Sequence, residues 1–399
     1  MQPSPLESAV AAHADRPAVD SSFRVHAIFP NYYDGTRVSY SLKSILAAMK
    51  SPAVQTHTYV LGKAKHVAGD VSALLPMALY THTSRLIRKP SEAIVSRFGH
   101  LMHAGDVAYF WMTNPPQLTR TLQKKGLLVV REMINCTLAR RRAELARAYA
   151  LLDQPDISGI TQADIEQERA ELLAADAVFC PNEFVLESVL AYGVPRERCI
   201  RTSYGWTPER INGHSRYLPK GPGVDMLFVG SADVRKGFPW LLKAWVQAGI
   251  NGRLLIAGTI DPAISTELAS ILSRPDIVQL GYVNDVGAVY RSADAFCFPT
   301  WEEGGPMVTI EAMGAGLACI VTPMGGSGIL SAESGGAIIV KPGDVNSIAA
   351  AITRLGTDDL ERTQLGRRAH EIAVDYTWAL VGQRRGEAII QLRKQWMSA

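Results

Sequence analysis

At 399 residues the chain is longer than one hydrophobic core serves well, so two domains are expected. Hydrophobic residues at 47% and charged residues at 20% exclude a disordered chain, and no apolar run is long enough to span a bilayer. The net charge of +3 hides a polarity: residues 1–150 hold 19 Lys and Arg against 9 Asp and Glu, and the remainder 22 against 29. The first part is therefore expected either to meet something anionic or to carry a solvated basic face.

Residues 1–20 lack the basic start and apolar centre of a secretory signal and read as a loose leader. From there short apolar runs alternate with helical patterns, the rhythm of a parallel sheet covered by helices. In residues 21–205 the runs 23–30, 54–61, 106–112, 126–133 and 176–181 read as strands, and 142–152 and 165–175 as amphipathic helices. The stretch 206–222 (WTPERINGHSRYLPKGP) breaks every period with Pro and Gly and reads as a linker. The rhythm restarts in 223–378, with strands in MLFVG, RLLIAG, IVQLGYV, AFCFPT, ACIVTP and GAIIVKP. Residues 379–399 continue a last helical pattern expected to pack back on the first domain. Two doubly wound domains leave a cleft at the carboxyl ends of their strands.

Cys136, Cys180, Cys199, Cys297 and Cys319 stand singly, with no C-x-x-C pair. They read as buried thiols in a reducing, cytoplasmic setting rather than as zinc ligands or nucleophiles. His100 and His103, three apart, could share a helical face but read as a solvated or core pair rather than a metal site. Arg140, Arg141 and Arg142 fan around a helix and cannot all face one ligand. With no nucleic-acid module beside them, nucleic acid is a poor partner. Trp111 reads as a core strand residue. No P-loop, H-E-x-x-H or strand-ending G-x-G-x-x-G occurs, and no two aspartates form D-x-D.

The informative segment is FCFPTWEEGGPMVTIEAMGAG, 296–316. A strand runs into Glu302, Glu303, Gly304 and Gly305, and Pro306 opens a helix in the favoured first-turn position. The glycines expose amides, including those of Met307 and Val308, at a helix N-terminus whose dipole favours an anion such as a diphosphate. Glu311, inside that helix, is costly to bury without hydrogen bonds. Taken alone, the two acids read rather as a helix-start carboxylate and a buried acid tied to a backbone amide than as ligand-binding groups.

The pattern E-G-G-P-M-V-T-I-E-A-M-G-A-G resembles the E-x7-E signature of glycosyltransferase family 4. So do FVGSADVRKGFPWLLKAW, LLIAG, QLGYV, Y-R-S-A-D-A-F-C-F-P and VTPMGGSG, in the family's order through most of the second half. The resemblance implies the α/β GT-B fold, two Rossmann-like doubly wound domains facing across a cleft, and a retaining transfer from a nucleotide-sugar donor with no further cofactor. It implies that Glu303 contacts the donor sugar, Glu311 the ribose hydroxyls, and Lys236 the leaving diphosphate. Members often carry an arginine directly after the glycine of the preceding strand. Here Ser231 follows Gly230, and Arg235 beside Lys236 could compensate. Gly281, Tyr282 and Val283 fall where the family grips the base through its backbone.

The absence of D-x-D favours a metal-free route through Lys236 and the 304–308 amides. The first half matches loosely. Gly35 stands in the place of the first glycine loop and could approach the diphosphate, and Arg131, Glu132 and Asn135 replace a usual histidine near the sugar. The acceptor would be a glycan or a lipid-linked glycan, with anionic character and peripheral contact with the inner membrane face suggested by the basic first half. A sugar-nucleotide epimerase and a non-catalytic partner subunit share the scaffold. The intact Glu303, Glu311 and Lys236 speak against the second.

Overall fold

The computed structural model describes residues 22–398, so the leader expected at 1–20 lies outside the described residues. Two parallel sheets form the frame. The first, in the order β3-β2-β1-β4-β5-β6-β7, comprises β1 (Phe23–Tyr33), β2 (Val54–Lys63), β3 (Val71–Leu75), β4 (Val107–Trp111), β5 (Leu128–Glu132), β6 (Ala177–Cys180) and β7 (Cys199–Arg201). The second, in the order β10-β9-β8-β11-β12-β13, comprises β8 (Val224–Val229), β9 (Gly252–Ala257), β10 (Ile277–Gly281), β11 (Ala295–Phe298), β12 (Ala318–Val321) and β13 (Ala337–Ile339).

Central strands are buried on both faces, which is why VDMLFV, AFCF and ACIV read as unbroken apolar runs rather than alternating ones. In each sheet the strand order reverses beside the first strand, at β1/β4 and at β8/β11. Ligands of such sheets gather at the carboxyl ends of these strands.

Helices that pack on the two sheets include α1 (Arg37–Met49), α2 (Leu138–Ala150), α3 (Gln162–Ala174), α4 (Phe238–Ala248), α5 (Met307–Gly314) and α6 (Trp378–Ser398). α2 begins four residues before the expected 142. The edge strands β3 and β7 and the helix Asp359–Ala373 have no counterpart in the sequence reading. Pro306 precedes α5 rather than opening it: its backbone is extended, and its carbonyl accepts the Thr309 amide at 3.2 Å. His100 sits in a short 3-10 turn and His103 in the loop beyond, so they share no helix. All five cysteines are free and buried.

The chain passes between the sheets twice, and the two passages are fastened together. The Trp206 amide donates to Tyr376 O at 3.1 Å, the Trp378 amide to Trp206 O at 3.0 Å, and the Trp206 indole N–H to Ala373 O at 2.7 Å. After the second passage α6 lies along α1, where Gly382 and Gly386 allow close approach to Ala48 and Met49. Arg393 donates to Gly105 O at 2.7 Å, again in the first domain.

Candidate active site

A cavity of about 310 Å³ opens between the carboxyl ends of the two sheets. Trp111 ends β4 on one side. Gly230 follows β8 and Phe298 ends β11 on the other, while Val38 and Ser41 of α1 close the wall. Of the residues singled out in the sequence, Glu303, Lys236, Arg235, Gly230, Gly305, Pro306, Met307 and Val308 all border this one space.

Local sequence places Lys236. The loop after β8 turns back at Gly237, whose φ is +71°, and the Lys236 amide donates to Asp233 Oδ1 at 2.9 Å. A Cβ at Gly237 would lie 2.0 Å from Pro299 O, so only glycine lets this loop press against the end of β11. The side chain of Lys236 then reaches Glu303 in direct contact, with its ammonium 5.3 Å from the Phe298 ring centre. Arg235 Nη1 lies 3.3 Å from Glu303 Oε1 and 3.4 Å from Glu302 Oε2. Burial and the adjacent Arg235 guanidinium push the Lys236 ammonium well below its ordinary range, and the neighbouring carboxylates oppose them. Two cations and two carboxylates, Glu302 and Glu303, thus converge near the N-terminus of α5, whose first amides carry positive partial charge.

Glu311 lies deeper. Its Oε1 is 3.2 Å from Arg210 of the linker, and its Oε2 accepts from the Tyr290 hydroxyl at 3.1 Å. Burial raises its pKa, with Arg210 and Tyr290 pulling the other way. Arg210 in turn lies over the Tyr40 ring of α1 at 5.1 Å, so one guanidinium joins the α5 glutamate, the linker and the first domain.

The sequence reading passed over Glu302, which is fully buried between the domains. Its Oε1 accepts from the Cys136 amide and thiol, both at 3.3 Å, and its Oε2 faces Arg235 and, at 3.8 Å, Arg141. Nothing local signals this role, because Cys136 and Arg141 lie in the first domain and Arg235 in a distant loop of the second.

Gly304 and Gly305 have a further reason to be glycine. A Cβ at Gly304 would sit 1.7 Å from Ile134 O, and one at Gly305 would sit 2.3 Å from the Tyr204 ring, so the loop packs directly on the first domain. Asn182 donates to Gly304 O at 2.6 Å. Gly304→Ala is therefore expected to force the domains apart. Small-angle scattering should show a larger radius of gyration, and an unchanged radius would mean that the contact yields locally.

Other expectations land elsewhere. Gly35 does not border the cleft cavity. The Asp34 carboxylate accepts from Thr36 N (2.8 Å) and Ser39 Oγ (2.9 Å), which closes the loop into a turn requiring Gly35 at φ +78°, and the glycine lines a separate hollow of about 290 Å³ with Lys43 and His66. Ser231 is exposed and Tyr282 is 74% exposed, and neither they nor Val283 border the cavity. Of the polar candidates after β4, Asn135 alone borders it. Arg131 is tied to Glu171 (3.4 Å) and Asn114 (3.1 Å), and Glu132 is sealed under α6 with Arg385 at 2.8 Å. Arg140 pairs with Glu144 at 2.7 Å, Arg141 faces Glu302 and Arg142 donates to Gln162, three directions from one helix. Trp111 is fully buried yet also lines the cavity.

Residues 223–358 match the family model described as glycosyl transferases group 1. Over 152 residues the chain is 29% identical to the capsular polysaccharide biosynthesis glycosyltransferase CapM of Staphylococcus aureus, covering 36% of this chain and 40% of that protein. The chain thus spans less than half the length of that relative. Among solved structures, sucrose-phosphate synthase of Thermosynechococcus elongatus aligns with a TM-score of 0.70 at 17% identity, over 92% of this chain and 99% of that one. Anabaena HepE in complex with UDP and glucose aligns with a TM-score of 0.70 at 13% identity, over 92% and 99%. At such identities the likeness carries the fold. The chain thus has the GT-B fold, and its second domain matches the glycosyl transferases group 1 over residues 223–358.

Proposed function

We propose that the chain is a retaining glycosyltransferase that moves a sugar from a nucleotide-sugar donor to a glycan or lipid-linked acceptor without a catalytic metal, in polysaccharide or glycoconjugate synthesis. The observation that carries this reading is the meeting of Lys236, Arg235 and Glu303 at the start of α5, on a cavity between two sheet ends. The group 1 match of the second domain, the UDP and glucose bound by HepE, and the CapM name support donor class and setting.

In the reaction the bond from the anomeric carbon to the donor phosphate oxygen breaks, and its electron pair leaves with the nucleoside diphosphate. The acceptor oxygen bonds to the same face of that carbon, and its proton passes to the departing phosphate. Lys236, Arg235 and the α5 amides face the growing phosphate charge, where fixed donors lower the barrier most. Glu303 accepts from the sugar hydroxyls and Glu311 from the ribose. No described helix is long and apolar enough to cross a membrane. Exposed Met77, Leu79 and Leu86 beside Arg85, Arg88 and Lys89 suit a peripheral contact with anionic headgroups.

Thermal unfolding with UDP-, GDP-, ADP- and dTDP-sugars, with and without chelator, tests the donor. Binding at one hundred times Kd adds about 2.7 kcal/mol, so one nucleotide family should shift the midpoint by a few degrees in either buffer. A shift that vanishes with chelator overturns the metal-free route. Transfer by Glu303→Ala at the wild-type rate removes Glu303 from the site.

A further inference from the structure

Beside the donor cavity, and sharing Ile134 and Asn135 with it, a second hollow of about 330 Å³ opens in the first domain between the ends of β4 and β5 and the helices α2 and α3. Its size falls within the range of small-ligand pockets, about 300–1,000 Å³. Three independent features mark it.

The first is Arg131, 6% exposed on its wall. Its Nη1 serves Asn114 and Glu171, while its Nε is buried without a hydrogen-bond partner. Arg141 on the adjoining wall likewise keeps a buried Nε unbonded, 3.8 Å from Glu302 Oε2. Buried guanidinium N–H groups left without acceptors are costly, and a polar guest toward which these side chains turn would relieve that cost. The second is the backbone at the rim: Met112, directly after β4, holds φ +93°, a region that strains a side-chain-bearing residue. The third is the charge balance. Against the two arginines the lining sets Asp164, Glu168 and Glu171 besides the sealed Glu132. Glu168 Oε2 accepts from the Leu138 amide at 2.6 Å and the Tyr192 hydroxyl at 3.0 Å, and Glu171 Oε1 from Gln167 at 2.9 Å.

An anionic ligand would meet more carboxylates than cations here. A polyol fits better, because each hydroxyl both donates to a carboxylate and accepts from a guanidinium, and Met112, Ile134 and Leu138 offer an apolar wall to the C–H face of a ring. We infer that this hollow holds an uncharged sugar ring of the acceptor, next to the unit that receives the transferred sugar. The inference rests on the transferase reading and sharpens it: the basic surface of the first domain and this carboxylate-rich hollow would meet different parts of the acceptor. Arg141 touches both the hollow and Glu302, so an occupied hollow sits one side chain from the donor loop.

The test is saturation-transfer NMR on the full chain with methyl glycosides of glucose, galactose, mannose and N-acetylglucosamine, alongside methyl glucuronoside and glucose 1-phosphate. Gln167 borders the hollow from an exposed position on α3, so Gln167→Trp fills the space without disturbing the core. The thermal midpoint and nucleotide binding of the variant report on its fold. At least one neutral glycoside should give a signal that Gln167→Trp abolishes. A signal confined to the charged probes overturns the inference, as does a neutral signal that survives Gln167→Trp, or none at all in a protein that binds a nucleotide sugar. A neutral signal lost in Gln167→Trp in a protein that binds no nucleotide sugar supports the hollow and sinks the transferase reading instead.

Discussion

Lys236→Ala is expected to lower kcat about 10²–10³-fold, the usual cost of removing one preorganised donor from a site where negative charge develops. The lysine is held from three sides, by the Asp233-anchored turn, the Phe298 ring and Glu303, so little remains to be organised when the phosphate departs. Donor KM should change less than kcat, because the charge Lys236 meets is larger in the transition state than in the bound donor. Lys236→Arg should rescue poorly: a planar fork does not replace a compact ammonium beside an existing arginine. Burial and Arg235 lower the pKa of the ammonium, and the protonated form is the useful one. The alkaline limb of kcat/KM should therefore fall below the ordinary lysine range and be lost in the alanine variant. Single-turnover kinetics with the donor identified by thermal shift would check this. A loss smaller than about tenfold, 1.36 kcal/mol, would remove Lys236 from the chemistry.

The largest stability effect is expected from Arg385→Ala. This arginine reaches from α6 into the first domain, with its side chain 1% exposed and that of Glu132 0% exposed. Its Nη2 donates to Glu132 Oε1 at 2.8 Å and to Thr202 Oγ1 at 3.2 Å, Nη1 donates to Ser203 O, and the guanidinium lies 5.4 Å from the Tyr204 ring centre. The Tyr109 hydroxyl donates to the other Glu132 oxygen. Removing the arginine strands a buried carboxylate, which costs about 3–5 kcal/mol, a large part of the roughly 5–15 kcal/mol that holds a domain folded. Urea unfolding should show it, and Glu132→Gln combined with Arg385→Met should recover part of the loss, because no charge is then left unpaired. A destabilisation below about 1 kcal/mol, the size of an ordinary surface change, would mean that solvent reaches Glu132.

The parts legible in the sequence were those with local causes. The central strands announce themselves as doubly buried apolar runs. The edge strands β3 and β7 do not, since VSALL is only half buried and CIR is three residues long. The helix Asp359–Ala373 is mostly polar, with Gly366, Ala369 and Ala373 as its buried residues, so its periodicity is faint. At the site, Glu303, Lys236 and the glycines ahead of α5 stood out because one contiguous motif and one loop place them. Glu302 and Arg210 did not, because their partners Cys136 and Tyr40 belong to the other domain. Gly35 lies outside the cleft cavity, and its own turn already accounts for it: a glycine demanded by its own turn resembles one demanded by a ligand.

The return of α6 to α1 also sets an order of events during synthesis. The pocket that receives Arg385 is built from Glu132, Thr202 and Ser203, yet the residue that fills it leaves the ribosome only after the strands of the second domain. Until α6 has been made, the first domain keeps Glu132 and the inner face of α1 uncovered, while the strands and packing helices of the second domain precede α6 in the chain. Early maturation of the N-terminal domain, common in multidomain chains, is thus not expected to run to completion here, and a fragment ending before Trp378 leaves the first domain without the helix that covers it.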